Sequence, residues 1–147
     1  MITEEDIVEA IPKTLQDNIF DLTQLILTKK IDQARDLVKD LTLQGEDEIK
    51  LIAIMLGQFR LYTQVKILQE SGQTESQMVS SLGHYLGRNP NPYQIKFALR
   101  DTRGLSLKFL QDSIRYLIQA DYQIKTGVYE KGYLFEKALL QIASQSN

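Results

Sequence analysis

Glu48-Ile49-Lys50-Leu51-Ile52-Ala53-Ile54-Met55-Leu56-Gly57-Gln58-Phe59-Arg60-Leu61-Tyr62-Thr63-Gln64-Val65-Lys66-Ile67-Leu68 is the stretch on which the fold turns. At helical spacing, Ile49, Ile52, Ala53, Leu56, Phe59 and Ile67 line one side, and Leu51, Ile54, Leu61, Val65 and Leu68 line the other. A surface helix needs a single apolar stripe, whereas one that is apolar on two sides must be packed on both. The segment from Glu46 to Gly72 is therefore expected to be the central helix of a bundle. Glu46, Asp47 and Glu48 suit its positive start. Arg60 falls in line with an apolar stripe, where its stem can lie over the core while the guanidinium stays paired or wet.

Upstream, Thr3 can cap a short helix that Pro12 closes. A second helix is expected after Asp17 or Asn18, with Ile19, Leu22, Leu25 and Ile26 on one face and Lys29 and Lys30 at its negative end. A third runs from about Asp32, with Ala34, Leu37, Val38 and Leu41 inward, and stops at Gly45. Downstream, Thr74-Glu75-Ser76-Gln77 reads as a capping box opening a short helix to about Leu82. Gly83 to Pro92 is the clearest loop, and Asn91-Pro92 then starts a helix through Arg103. Gly104 closes that helix, Ser106 opens a long one to Gly127, and a last helix spans about Tyr133 to Ala143. No strand-length alternation and no repeat interrupts this order. The expectation is an all-α bundle of about seven to eight helices.

Composition agrees with one ordinary globular domain. In 147 residues, 43% are apolar and 24% charged, and a chain of this length buries roughly 68–70% of its unfolded surface. A net charge of −2 gives no global attraction to nucleic acid or anionic membrane. The absence of cysteine excludes disulfides, thiolate zinc sites and cysteine nucleophiles, and fits a reducing compartment. The apolar run Leu51 to Leu56 is short and flanked by Lys50 and Arg60, and the acidic start lacks the blocks of a signal peptide. The expected location is cytoplasmic, with no membrane partner.

Catalytic chemistry finds no constellation. No GxxxxGK[ST] loop is present, and the pair Gly83 and Gly87 lacks the lysine that reaches phosphates. His84, the sole histidine, has no second ligand or triad member set beside it by sequence and reads as a surface loop residue. The pairs Glu4/Glu5 and Glu46/Glu48 stand at helix starts, where dipole and capping effects account for them. No catalytic, cofactor or metal residue is assigned. Two surfaces remain candidates. Phe109, Ser113, Tyr116 and Ala120 form a second stripe on the long late helix, beside the Leu110, Ile114, Leu117 stripe. Either another helix of the same domain covers it or a partner protein does, since aromatic residues are enriched at such contacts. Residues 74–103 read as helix, link, helix, with Arg88, Lys96, Arg100 and Arg103 able to make weak DNA contacts in the manner of a helix-turn-helix. Against this, the link is about nine residues rather than three or four, and Asp101 interrupts the basic face.

Four blocks in fixed order carry a further likeness: Asp17-Asn18-Ile19-Phe20-Asp21-Leu22 with Ala34-Arg35-Asp36-Leu37 and Gln44-Gly45-Glu46; Gln58-Phe59-Arg60-Leu61 with Val65-Lys66; Asn91-Pro92-Tyr93-Gln94-Ile95-Lys96-Phe97-Ala98-Leu99; and Ala120-Asp121-Tyr122-Gln123-Ile124-Lys125-Thr126-Gly127. Together they resemble the C-terminal, all-helical part of the delta subunit of bacterial DNA polymerase III clamp loaders. The loop Gly83–Asn91 looks longer than that family's usual link. The resemblance implies a non-catalytic collar domain over residues 17–147, with residues 1–16 similar to the last helix of the preceding lid domain. It further implies assembly with gamma/tau-type and delta-prime-type subunits through their collars, in a holoenzyme whose polymerase activity lies elsewhere. Contact with the sliding clamp would belong to an N-terminal region for which this chain has no room, and contact with DNA would be weak or through the complex. No cofactor is implied.

Overall fold

A computed structural model describes residues 13–86 and 92–146, excepting the side chains of Tyr85 and Leu86. Among the described residues there are seven helices and no strand: α1 Leu15–Leu27, α2 Ile31–Leu43, α3 Glu48–Glu70, α4 Glu75–Leu86, α5 Pro92–Asp101, α6 Leu107–Lys125 and α7 Lys131–Ala143. The helix expected from Thr3 to Pro12 lies outside the described residues.

Local chemistry sets most of these boundaries. Thr14 and Asp17 exchange reciprocal hydrogen bonds at the head of α1, a capping box that starts the helix at Leu15 rather than after Asp17 or Asn18. The Asp47 carboxylate accepts from the amide of Ile49 at 2.8 Å and from Lys131 Nζ at 3.2 Å, joining the starts of α3 and α7. Both donors hold the Asp47 carboxyl below its usual pKa, the backbone amide most strongly. At α4 the Thr74 amide donates to Gln77 Oε1 at 2.8 Å and the Gln77 amide to Thr74 Oγ1 at 3.3 Å. Ser106 Oγ accepts from the amide of Phe109 and begins α6. Gly45 and Gly104 stand at φ of +94° and +83°, where a side chain would be strained.

Helix α3 is packed by α1, α5, α6 and α7, and Leu51, Ile52, Met55, Leu56, Phe59, Tyr62 and Val65 are buried along it. This is the central helix. By length and composition alone Glu48–Glu70 could cross a membrane, a property the short Leu51–Leu56 run does not register. Its burial among four partners gives it the setting of a core helix instead. Ala53 and Ile67, expected inward, are exposed, because the four neighbours leave that strip of α3 uncovered. The α6–α7 pair closes one side of the bundle, α1–α2 another, and α4 packs on α5.

Two further boundaries differ from expectation. Helix α4 continues through Gly83, which is buried, to Leu86, so His84 is an exposed helical residue rather than a loop residue. A glycine inside a helix costs only about 1 kcal/mol, which packing on α5 offsets. Helix α5 ends at Asp101, and Thr102, with its hydroxyl on the Ala98 carbonyl at 2.7 Å, begins the turn into Gly104. Gly83 is thus no part of a loop, since α4 ends at Leu86 and α5 begins at Pro92.

Candidate subunit interface

The surface question centres on α6, because its 19 residues pack against both α3 and α7 and still leave apolar side chains outside. Phe109 is 4% exposed, Ala120 3%, and Ser113 fully buried with its hydroxyl on the Phe109 carbonyl at 2.8 Å. These three are core, so the stripe containing them is covered by the domain itself and cannot meet a partner in the folded chain. That corrects two of the three interface candidates, Phe109 and Ala120. Tyr116 alone stays half-buried at the edge of the stripe.

The accessible apolar residues of α6 are on its other side. Ile118 is 47% and Tyr122 67% exposed, an i, i+4 pair that no described helix covers. With Arg115, Tyr116 and Gln119 they line an open groove of about 650 Å³. Tyr116 also borders a second groove of about 580 Å³, walled by Tyr133, Lys137 and Leu140 of α7 and Arg35 of α2. Arg35 pairs with Glu136, tying α2 to the wall of that groove. Tyr133, 56% exposed, meets Tyr129 edge-on with ring centroids 5.8 Å apart. Arg115 lies 5.5 Å from the Tyr116 ring centroid and 3.3 Å from Asp112. Asp112 also accepts from Lys108 at 2.9 Å, and this hydrogen bond depresses its carboxyl pKa. The result is an aromatic surface with paired charges at its rim, the make-up of a protein contact. Ile118, Tyr122 and Tyr133 have a sequence signal of their own: they are apolar residues opposite an already complete core stripe.

The basic candidates are placed less coherently. Arg88 lies outside the described residues. Lys96 and Arg103 are exposed. Arg100 is turned along the protein, its guanidinium 4.9 Å from the Phe97 ring centroid and its Nε 3.1 Å from Asp101. Asp101 does not interrupt a solvated basic face. Its side chain is 3% exposed and points inward, accepting from Gln24 Nε2 at 2.7 Å and the Tyr62 hydroxyl at 3.1 Å. Lys96 and Arg100 share a face of α5, whereas Arg103 stands beyond the helix end. Among the described residues no group of three or more His, Cys, Asp or Glu side chains is gathered as metal ligands.

A profile of the C-terminal domain of the DNA polymerase III delta subunit matches residues 16–142. The chain belongs to that family. It is 32% identical over 145 residues to DNA polymerase III subunit delta of Bacillus subtilis (strain 168), across 99% of this chain and 40% of that protein. The structure superposes on the Bacillus subtilis DNA clamp loader delta protein with a TM-score of 0.82 at 31% identity, covering 96% of this chain and 40% of the other. The chain thus spans about 40% of the length of these relatives. The family match runs through all seven described helices, from α1 to the last turn of α7. None of the three comparisons lends support to residues 74–103 as an independent DNA-binding unit.

Proposed function

We propose that this delta-type C-terminal domain is a non-catalytic assembly module that joins its subunit to the others of a clamp loader. Its partners are the collar domains of gamma/tau-type and delta-prime-type chains, and its boundary with a preceding lid-like unit falls near residue 16. The observation that carries the proposal is the exposed aromatic surface around Tyr116, Ile118 and Tyr122 on a fold that belongs to the delta C-terminal family. Association through such a surface needs no nucleotide, because its apolar area is already presented in the folded chain. Sliding-clamp contact is left to other parts of the delta protein. DNA contact through Arg88, Lys96, Arg100 and Arg103 is weak and independent of sequence.

Co-elution from a sizing column tests this. The chain mixed with purified gamma/tau-type and delta-prime-type subunits, without ATP, is expected to move into the large complex. Persistent separate elution at tens of micromolar, well above the ~1 μM range of weak specific contacts, contradicts the assembly role. A parallel titration with duplex DNA should show binding that fades steeply with salt. Tight binding to a single sequence at physiological salt would instead favour residues 74–103 as a reader.

A further inference from the structure

The charges around Tyr116 are unevenly matched. Arg35 has a carboxylate of its own in Glu136, but Asp112 is shared by two cations, Lys108 at 2.9 Å and Arg115 at 3.3 Å. Lys137, exposed on α7 in the wall of the first groove, pairs with no carboxylate among the described residues. The groove walls and the groups bonded to them therefore set Arg35, Lys108, Arg115 and Lys137 against only Glu136 and Asp112. Beyond them, Lys125 and Asp121 balance each other at the end of α6. In a chain whose net charge is −2, this surface is locally positive.

Its shape narrows what can fill it. The two grooves share Tyr116 as a wall and follow α6 as far as Tyr122. That distance is about 9 Å along the helix axis, nearly two turns of a facing helix. An apolar helix face laid there would cover Ile118 and Tyr122, and the phenol hydroxyls of Tyr116, Tyr122 and Tyr133 add donors that a carboxylate can accept. We infer, on the assembly role proposed above, that the occupant is an acidic amphipathic helix of a partner clamp-loader subunit. Its apolar side chains lie against Tyr116, Ile118 and Tyr122, and its carboxylates face Lys137 on one side and the Lys108–Arg115 pair on the other.

Titration of the labelled chain with purified gamma/tau-type and delta-prime-type subunits, without ATP, tests this. Association with one of them should weaken about tenfold between about 0.1 M and about 1 M sodium chloride, as the screening length falls from roughly 10 Å to roughly 3 Å. At the lower salt, Lys137→Glu/Arg115→Glu should weaken it about tenfold or more, because attraction becomes repulsion at two positions. Lys137→Arg/Arg115→Lys keeps both charges and should bind like the parent. All three chains should melt alike, since both side chains are exposed. If the reversed chain melts early, the salt series on the parent decides alone. Association that charge reversal leaves unchanged, or that salt strengthens, overturns the acidic partner while the assembly role stands. No association of the parent with either subunit at tens of micromolar removes both. Weakened binding of a duplex oligonucleotide by the reversed chain, with subunit association intact, also overturns it and assigns these cations to phosphate.

Discussion

Asp101 is the residue whose role the sequence conceals most. On a helical wheel it interrupts a basic face, yet in the fold it is the meeting point of three helices. Gln24 of α1 and Tyr62 of α3 both donate to it, and Arg100 beside it balances its charge. A buried carboxylate is stable only when so satisfied. Asp101→Ala strips the buried Tyr62 hydroxyl and the half-buried Gln24 amide of their acceptor and should cost about 2–4 kcal/mol in urea unfolding, while Tyr62→Phe, removing one neutral donor, should cost about 1–2 kcal/mol. Burial, and then the nearby Asp101 charge, push the Tyr62 hydroxyl well above its ordinary pKa of 10.0. The folded state therefore keeps the phenol protonated where the unfolded chain begins to lose its proton. The sign follows: this contribution is complete below pH 10 and declines as pH rises beyond it. Urea midpoints measured at pH 9 and pH 11 should fall more for the parent than for Tyr62→Phe. Equal falls would show that Tyr62 is not the group responsible.

At the level of elements, what the sequence makes legible is local and what it hides is relational. The two-sided apolar pattern of Glu48–Leu68 suffices to name the central helix, because only burial on both sides satisfies it. The Thr74–Gln77 box and the Ser106 cap are equally legible, since each is a short-range exchange of donors and acceptors. Ser106→Ala should accordingly cost about 1 kcal/mol, seen as a lowered melting temperature with unchanged helicity. The start of α1 is obscured because Asp17 invites reading as a cap, when it is the third residue of a box headed by Thr14. The end of α4 is obscured because Gly83 looks like a terminator until α5 is there to pack against it. Phe109 and Ala120 mark the same limit in the candidate interface. Spacing shows which residues share a face, but only the neighbouring helices decide whether that face is inside.

For the whole molecule, one helix, α6, carries both a core stripe and an open surface. Phe109 belongs to the core, so Phe109→Ala should lower stability by about 3–5 kcal/mol wherever assembly is measured. Ile118 and Tyr122 belong to the surface, and replacing them should leave the isolated domain within about 1 kcal/mol of the parent. At the centre of a contact between subunits, uncompensated charge on these two positions should weaken association by about 2–4 kcal/mol, or roughly 30- to 1,000-fold. The most direct measurement is therefore a paired one on Ile118→Asp/Tyr122→Asp: its thermal melt alone, and its entry into the reconstituted clamp-loader complex on a sizing column. The expected result is a melt like the parent's and loss of the complex. A parent-like melt with undiminished assembly would contradict the assembly surface on α6 and show that the subunits meet elsewhere on the domain.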